Sequence, residues 1–130
     1  MTVPRNPALT LPFRARQSAE ARGRAAEDRA AEIYAARGCS VLARRARTEA
    51  GEIDLVAADA TTLIFIEVKQ RRRLDDAIEA LQPRQQRRIV AAAAILLARN
   101  PDWERPDTRF DLVMVSASGI RHLPDAFRAE

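Results

Sequence analysis

The sequence predicts an α/β domain with a mixed β-sheet flanked by helices, and three observations lead to this prediction. Two stretches, 17–37 and 83–100, have the composition and spacing of helices, and Gly38 and Pro101 follow or end them. Short runs of β-branched and apolar residues lie between and after these helices. The resulting order is helix, three strands, helix, and one or two strands, which is typical of an α/β fold with a mixed sheet.

The first helix is predicted from Gln17 to Arg37. Its stripe of small and apolar residues consists of Gly23, Ala26, Ala30, Ile33 and Tyr34. Glu27 lies four residues before Ala31, so it is expected at the edge of this stripe and not on the solvent face. Residues 1–15 contain three prolines and no periodicity and are predicted to form a flexible tail, and residues 16–130 are predicted to form one domain.

Three strands are predicted next, at 39–44, 52–58 and 62–69. The short connection at 59–61 predicts that the second and third strands form an antiparallel hairpin. Residues 71–81 are polar and have room for a short helical turn.

The rest of the chain is predicted to hold one helix and two strands. Pro83 is expected in the first turn of the helix, which continues to Asn100. Strands are predicted from Asp107 to Ser116 and from Gly119 to Leu123.

The composition indicates a basic protein without a disulfide framework. The net charge is +4, and residues 1–50 carry ten arginines against five acids, which suits a polyanionic partner. A basic, arginine-rich composition without such a partner is the alternative. Cys39 is the single cysteine, so neither a disulfide nor a cysteine zinc cluster is expected. No apolar run reaches membrane-spanning length and no signal peptide is recognised, so the protein is expected in the cytoplasm, away from the membrane.

Lys69 is the single lysine among 22 basic residues and closes the apolar run 63–69. Arginine is a planar, permanently charged fork, whereas lysine is a compact point charge whose pKa can shift. A lone lysine at this place therefore indicates a site that needs an ammonium group. The alternative is that the arginine bias left one lysine by chance.

Strand alternation predicts which side chains share a face. In the third strand Glu67 and Lys69 share one face. In the second strand Glu52 and Asp54 share a face, and Ile53 and Leu55 are expected on the opposite one.

A hairpin would bring Asp54, Glu67 and Lys69 together, and Glu27 of the covering helix could complete the cluster. Buried charges without partners are costly, and a hard divalent cation such as Mg²⁺ would compensate carboxylates. Acids, metal and a lysine beside them constitute a site for phosphodiester hydrolysis. The alternative is a partly exposed hairpin in which Glu67 and Lys69 pair at the sheet edge.

These residues resemble a known nuclease motif. Asp54, twelve residues, and then Glu67-Val68-Lys69 is similar to the PD-(D/E)xK motif of the restriction-endonuclease-like superfamily, and Glu27 is similar to the upstream acid of archaeal Holliday junction resolvases. The resemblance to the bacterial YraN-like family is closer still. It is carried by 23–31, 51–56, 65–69, 86–89 and 109–111 and covers roughly residues 19 to 130.

The resemblance implies a restriction-endonuclease-like fold and a nuclease that depends on Mg²⁺ or Mn²⁺. Asp54 and Glu67 would bind the metal, and Glu27 would bind it directly or through water. Lys69 would act on the attacking water or on the scissile phosphate. The chain departs from the family pattern at Ile53, where the superfamily name has proline, and at two glutamines, Gln70 and Gln85.

Two basic groups are predicted to bind nucleic acid. Arg71, Arg72 and Arg73 follow Lys69 directly. A second group opens the second helix and consists of Arg84, Gln86, Arg87 and Arg88. Gln86 also resembles polar residues that assist the metal site in related nucleases. The alternative for both groups is a solvated charged face.

Three functions follow from these observations. The first is a metal-dependent endonuclease that acts on nucleic acid, with DNA favoured over RNA and with structured or branched DNA in repair or recombination as the implied substrate. The second is a nucleic-acid-binding adaptor that keeps the fold without catalysis. The third is a structural partner of another protein. A homodimer is a further hypothesis, and Asp111 and His122 are expected to be structural.

Overall fold

A computed structural model describes residues 13–72 and 81–128, with side chains from residue 21 onward. This part of the chain forms a five-stranded mixed sheet with a long helix on each face, so the predicted fold class is confirmed. In chain order the elements are α1 (Phe13–Ala36), β1 (Ser40–Thr48), β2 (Gly51–Ala58), β3 (Thr62–Gln70), α2 (Pro83–Arg99), a 3-10 turn (Pro101–Trp103), β4 (Asp107–Ser116) and β5 (Gly119–Phe127).

The strands lie in the sheet in the same order as in the chain. All neighbours are antiparallel except β3 and β4, which are parallel and pair Phe65 with Phe110. The predicted hairpin of β2 and β3 is confirmed, and the carboxylate of Asp59 closes its turn by accepting the N–H groups of Thr61 and Thr62 at 2.9 and 2.8 Å.

Each helix covers one face of the sheet. The apolar cluster under α1 contains Ala26, Ala30 and Tyr34 with Ile64 and Ile66 of β3. The cluster under α2 consists of residues from the helix and from four strands, among them Ile89, Ala92, Ile53, Phe65 and Phe110. Because both faces of β3 are covered, its sequence is a continuous apolar run up to Glu67.

Several element boundaries differ from those predicted. Helix α1 begins at Phe13 and not at Gln17, because residues 13–16 contain no helix-breaking residue. Residues 13–15 of the predicted tail are therefore helical, while 1–12 lie outside the described residues. The boundaries of β2, β3 and α2 differ from the prediction by one residue each.

The two edge strands, β1 and β5, are longer than predicted. Strand β1 continues past Arg44 to Thr48, and β5 continues past Leu123 to Phe127. Edge strands tolerate solvent-exposed arginines and a proline because one side of the ladder needs no partner. Pro124 is followed by Asp125 with φ 54°, at an irregularity in the pairing of β4 with β5.

Most of the connection between β3 and α2, including the helical turn proposed for 71–81, lies outside the described residues. Within the described ranges, no helix is long and apolar enough to cross a membrane.

Candidate active site

Asp54 lies where β2 and β3 separate. The paired residues of the two strands end at Leu55 and Ile66. One step further, Oδ2 of Asp54 accepts the backbone N–H of Val68 at 2.8 Å. The side chain thus replaces a backbone partner in the ladder, which satisfies a part-buried N–H group and orients the carboxylate.

The chain changes face at Asp54. Ile53 packs in the cluster under α2, whereas Leu55 packs in the cluster under α1. The prediction that these two side chains share one face is therefore wrong. Regular alternation requires regular strand pairing, and the pairing of β2 with β3 stops at this point.

Glu67 is a buried acid, 7% exposed, next to Asp54. Its Oε2 is buried and has no hydrogen-bond partner among the described residues. Burial raises the pKa of Glu67 to about 8, and the charge of Asp54 adds to the rise, while Lys69 and Arg88 oppose it. Burial also raises the pKa of Asp54, although the N–H of Val68 works in the other direction. Without a cation, burial and the charge of Asp54 therefore favour the protonated form of Glu67 near neutral pH.

Lys69 is the third member of the site. Its Nζ lies 3.6 Å from Oε1 of Glu67, and its side chain is 19% exposed. The structure thus brings together Asp54, Glu67 and Lys69, as the hairpin predicted. We call these three residues the acid–lysine cluster.

Glu27 is held elsewhere, by Arg45 of β1. The Nε of Arg45 donates to both carboxylate oxygens of Glu27, at 2.9 and 3.2 Å. Arg45 adopts a φ of 49°, in the left-handed region that few residues other than glycine enter. The hydrogen bond with Glu27 raises the pKa of Arg45, and the charges of Glu52 and Asp54 add to this rise.

The acids that surround the cluster do not converge with it in this structure. Among the described residues, no group of three acids, histidines or cysteines is arranged to hold a metal ion. Glu52 lies 3.4 Å from Nε of Arg47 and is 38% exposed. The role of Glu27 as a metal ligand stays a prediction. A metal ion that binds Glu27 directly would have to displace Arg45 from its carboxylate.

The acid pair nevertheless fits a hard divalent cation. Mg²⁺ is commonly bound through one or two carboxylates and completes its octahedron with water and substrate phosphate. The half-buried carboxylate of Asp54 and the buried carboxyl group of Glu67, whose Oε2 has no hydrogen-bond partner among the described residues, provide those ligands. A cation would displace the proton from Glu67 and offset the mutual repulsion of the two carboxylates.

The predicted nucleic-acid contacts fall on different surfaces. Arg71 and Arg72 are exposed directly after β3, and Arg73 lies outside the described residues. Arg84 and Arg88 line one open cleft at the start of α2, together with Gln82 and Gln85.

Gln86 and Arg87 belong to another groove of α2, which they line with Val90 and Arg128. The side-chain amide of Gln86 donates to the carbonyl of Leu81 at 3.1 Å. This bond satisfies one N–H of the side-chain amide at the N-terminus of the helix, so Gln86 has a structural role there.

Sequence reasoning missed Arg45 and did not distinguish Arg88 from its neighbours. Nothing in the local sequence marks Arg45, because its contact with Glu27 bridges 18 residues. Arg88 could have been singled out only by knowing that it faces Gly51, where a Cβ atom would lie 3.0 Å from Cδ of Arg88.

A second buried charged network lies under α1. Asp111 is fully buried and accepts hydrogen bonds from the side chains of Tyr34, Arg109 and His122 and from the backbone N–H of Asp125. Burial alone would raise the pKa of Asp111, but these donors, led by Arg109, lower it. The network joins α1, β4 and β5.

The tautomer of His122 follows from its hydrogen-bond partners. Arg37 contacts Nδ1 of His122, and arginine can only donate, so Nδ1 accepts. Nε2 then carries the proton and donates to Oδ2 of Asp111 at 3.0 Å. Asp111 and His122 thus have the contacts expected of structural residues.

Comparison with known proteins identifies close relatives. The profile described as "Uncharacterised protein family UPF0102" matches residues 26–115. A UPF0102 protein of Acidiphilium cryptum is 59% identical over 116 residues, 89% of this chain and 91% of its own length. One from Azorhizobium caulinodans is 50% identical over 118 residues, 90% of each chain. One from Rhodopseudomonas palustris is 47% identical over 130 residues, 99% of this chain and 98% of its own.

Proposed function

The chain belongs to the UPF0102 family, the YraN-like family that its motifs predicted, and from this premise we propose that it is a divalent-metal-dependent nuclease of the restriction-endonuclease-like superfamily. The observation that carries the proposal is the acid–lysine cluster. A buried and a half-buried carboxyl group, with a lysine 3.6 Å from the buried one, are destabilising in an apolar sheet unless they bind a charged ligand.

Asp54 and Glu67 would hold Mg²⁺ or Mn²⁺, which supplies Lewis-acid stabilisation of the phosphate and a more acidic bound water. The backbone N–H of Val68 keeps the carboxylate of Asp54 in a fixed orientation. The ammonium group of Lys69 lies beside Glu67, where it can orient the attacking water or neutralise charge on the scissile phosphate. Glu27 can join through water, or directly after it leaves Arg45.

The proposed substrate is nucleic acid, with DNA favoured over RNA. Structured or branched DNA in repair or recombination is the substrate that the resemblance to Holliday junction resolvases implies. Such resolvases cut two strands symmetrically, so a homodimer is proposed with it. Sedimentation that shows a monomer at micromolar concentration would count against the dimer.

Cleavage of a labelled panel tests the proposal. The panel contains single-stranded, duplex, flapped and four-way DNA, and RNA, each with Mg²⁺ or Mn²⁺. Glu67→Gln keeps the side-chain length, Lys69→Met keeps an unbranched stem that is one atom shorter, and both remove the charge. We expect metal-dependent cleavage that falls at least about 100-fold in both variants. Cleavage that persists in both would overturn the assignment.

A non-catalytic nucleic-acid-binding adaptor is the second candidate. The observation that favours it is the bifurcated hydrogen bond from Nε of Arg45 to both carboxylate oxygens of Glu27, which engages the third acid outside the acid–lysine cluster. An adaptor predicts salt-dependent binding that Glu67→Gln leaves unchanged and no cleavage with either metal.

A further inference from the structure

The arginines at the start of α2 divide between two surfaces. Arg84 and Arg88 are one helical turn apart and line the same cleft. Arg87 lines a different groove, whose other walls are largely apolar. The basic cluster that appears continuous in the sequence therefore presents two of its arginines in one direction and the third in another.

Arg88 connects this cleft to the acid–lysine cluster. Its side chain lies across Gly51, where a Cβ atom would be 3.0 Å from Cδ, 3.1 Å from Cγ and 3.3 Å from Nε. Gly51 is the first residue of β2, three residues before Asp54. The positive charge of Arg88 also opposes the rise in the pKa of Glu67, so the guanidinium lies on the side of the cleft that faces the acid–lysine cluster.

The cleft has an excess of positive charge that no described residue neutralises. The first turn of α2 contains no acid, and neither Arg84 nor Arg88 forms an ion pair with any residue of the described ranges. Two arginines four residues apart on a helix repel each other. A polyanion along the cleft would relieve this repulsion, and the partial positive charge of the helix N-terminus would add to the attraction.

We propose that the phosphate backbone of the nucleic acid runs from the acid–lysine cluster to the start of α2, with Arg88 binding the phosphate nearest the cluster and Arg84 the next one along the same strand. This inference rests on the proposed function and assigns the substrate path. The contacts are to phosphates, so they position the strand without reading its sequence. Gly51 leaves the space in which the stem of Arg88 reaches across β2.

Fluorescence anisotropy of a short labelled DNA duplex, titrated with the full chain in EDTA at several salt concentrations, tests the path. Arg84→Met and Arg88→Met remove charge but keep an apolar stem, and Arg29→Met removes an exposed arginine from α1, on the other face of the sheet. We expect each of the first two to weaken binding about tenfold at 0.1 M salt and to reduce the salt slope by about 0.9. Arg29→Met is expected to change the affinity by less than about twofold.

Arg87→Met is the discriminating comparison, because it removes the same charge from the same helix. If it weakens binding and reduces the salt slope as much as Arg88→Met does, binding follows total charge and the inference is overturned. It is also overturned if the duplex does not bind. The EDTA titration contains no metal, so a failure of the nuclease proposal would appear in the cleavage assay and not in this measurement.

Discussion

The backbone N–H of Val68 donates to Oδ2 of Asp54 over 2.8 Å, at the point where β2 and β3 cease to pair. This bond has two consequences. It satisfies a backbone donor that the separating strands would leave unpaired, and it fixes one oxygen of the acid that we assign to the metal. The same bond therefore contributes to folding and to the preparation of the site.

The two consequences can be separated at Asp54. Asp54→Asn keeps a side-chain oxygen that can accept the N–H of Val68 but loses the charge, so we expect near-normal stability without metal-dependent cleavage. Asp54→Ala leaves the N–H unpaired and should lower the free energy of unfolding by about 1–3 kcal/mol. Urea unfolding measures both variants. Equal destabilisation by the two substitutions would show that the hydrogen bond is not the structural contribution of Asp54.

Glu67 should make folding stability depend on pH. Its pKa is about 8 in the folded chain against an ordinary value of 4.5, so between about pH 5 and pH 8 the folded state holds a proton that the unfolded state has lost. Stability in the absence of metal should therefore fall as pH rises, by at most about 1.4 kcal/mol for each pH unit. The difference in unfolding free energy between wild type and Glu67→Gln should carry this slope.

The matched control for the pH experiment is Glu49→Gln, which changes an exposed acid whose pKa is lowered by its hydrogen bond with Arg99. The difference in unfolding free energy between wild type and this variant should not change from about pH 5 to pH 8. A flat difference for Glu67→Gln as well would mean that Glu67 is ionised in the folded protein throughout this range.

Arg45 should oppose metal binding. Its guanidinium group binds the carboxylate of Glu27, and its positive charge also interacts with the carboxylate of Asp54. Arg45→Ala should therefore tighten binding of Mn²⁺, and Glu27→Ala should weaken it, by about three- to tenfold each. Arg44→Ala is the control, because Arg44 pairs with Asp28. Isothermal titration calorimetry measures the affinities, and weaker binding by Arg45→Ala would contradict this role.

Asp111 should support the fold and not the chemistry. Asp111→Ala leaves Arg109 and three further donors without their acceptor in a buried place, so we expect a loss of more than about 3 kcal/mol in unfolding free energy. Tyr34→Phe removes one donor to the same carboxylate and should cost about 1 kcal/mol. Urea unfolding distinguishes them, and a loss below about 1 kcal/mol for Asp111→Ala would refute the structural role.

Much of the fold was predictable because its signals are local. Pro83 and Pro101 bracket α2, and the short connection at 59–61 requires β2 and β3 to be antiparallel. The convergence of Asp54 with Glu67 and Lys69 follows from that hairpin, together with the alternation of side chains along β3. The longer edge strand β5 was not predictable, since a proline such as Pro124 usually ends a strand unless the strand lies at a sheet edge.

The parts of the site that were not predictable depend on contacts between distant residues. The opposite packing of Ile53 and Leu55 results from the interruption of pairing at Asp54, which alternation cannot anticipate. Arg45 reaches Glu27 across 18 residues, and Arg88 of α2 reaches Gly51 of β2. No local pattern specifies which arginine, among 21, makes each contact.

The central claim is that Asp54 and Glu67 hold one divalent metal ion, and calorimetric titration with Mn²⁺ tests it most directly. We expect one ion per chain and an affinity that rises about tenfold per pH unit up to about pH 8, because binding displaces the proton on Glu67. Asp54→Asn and Glu67→Gln should abolish binding while each variant remains folded by circular dichroism. Binding that is unchanged in both variants, or absent from the folded wild type at pH 8, would contradict the account.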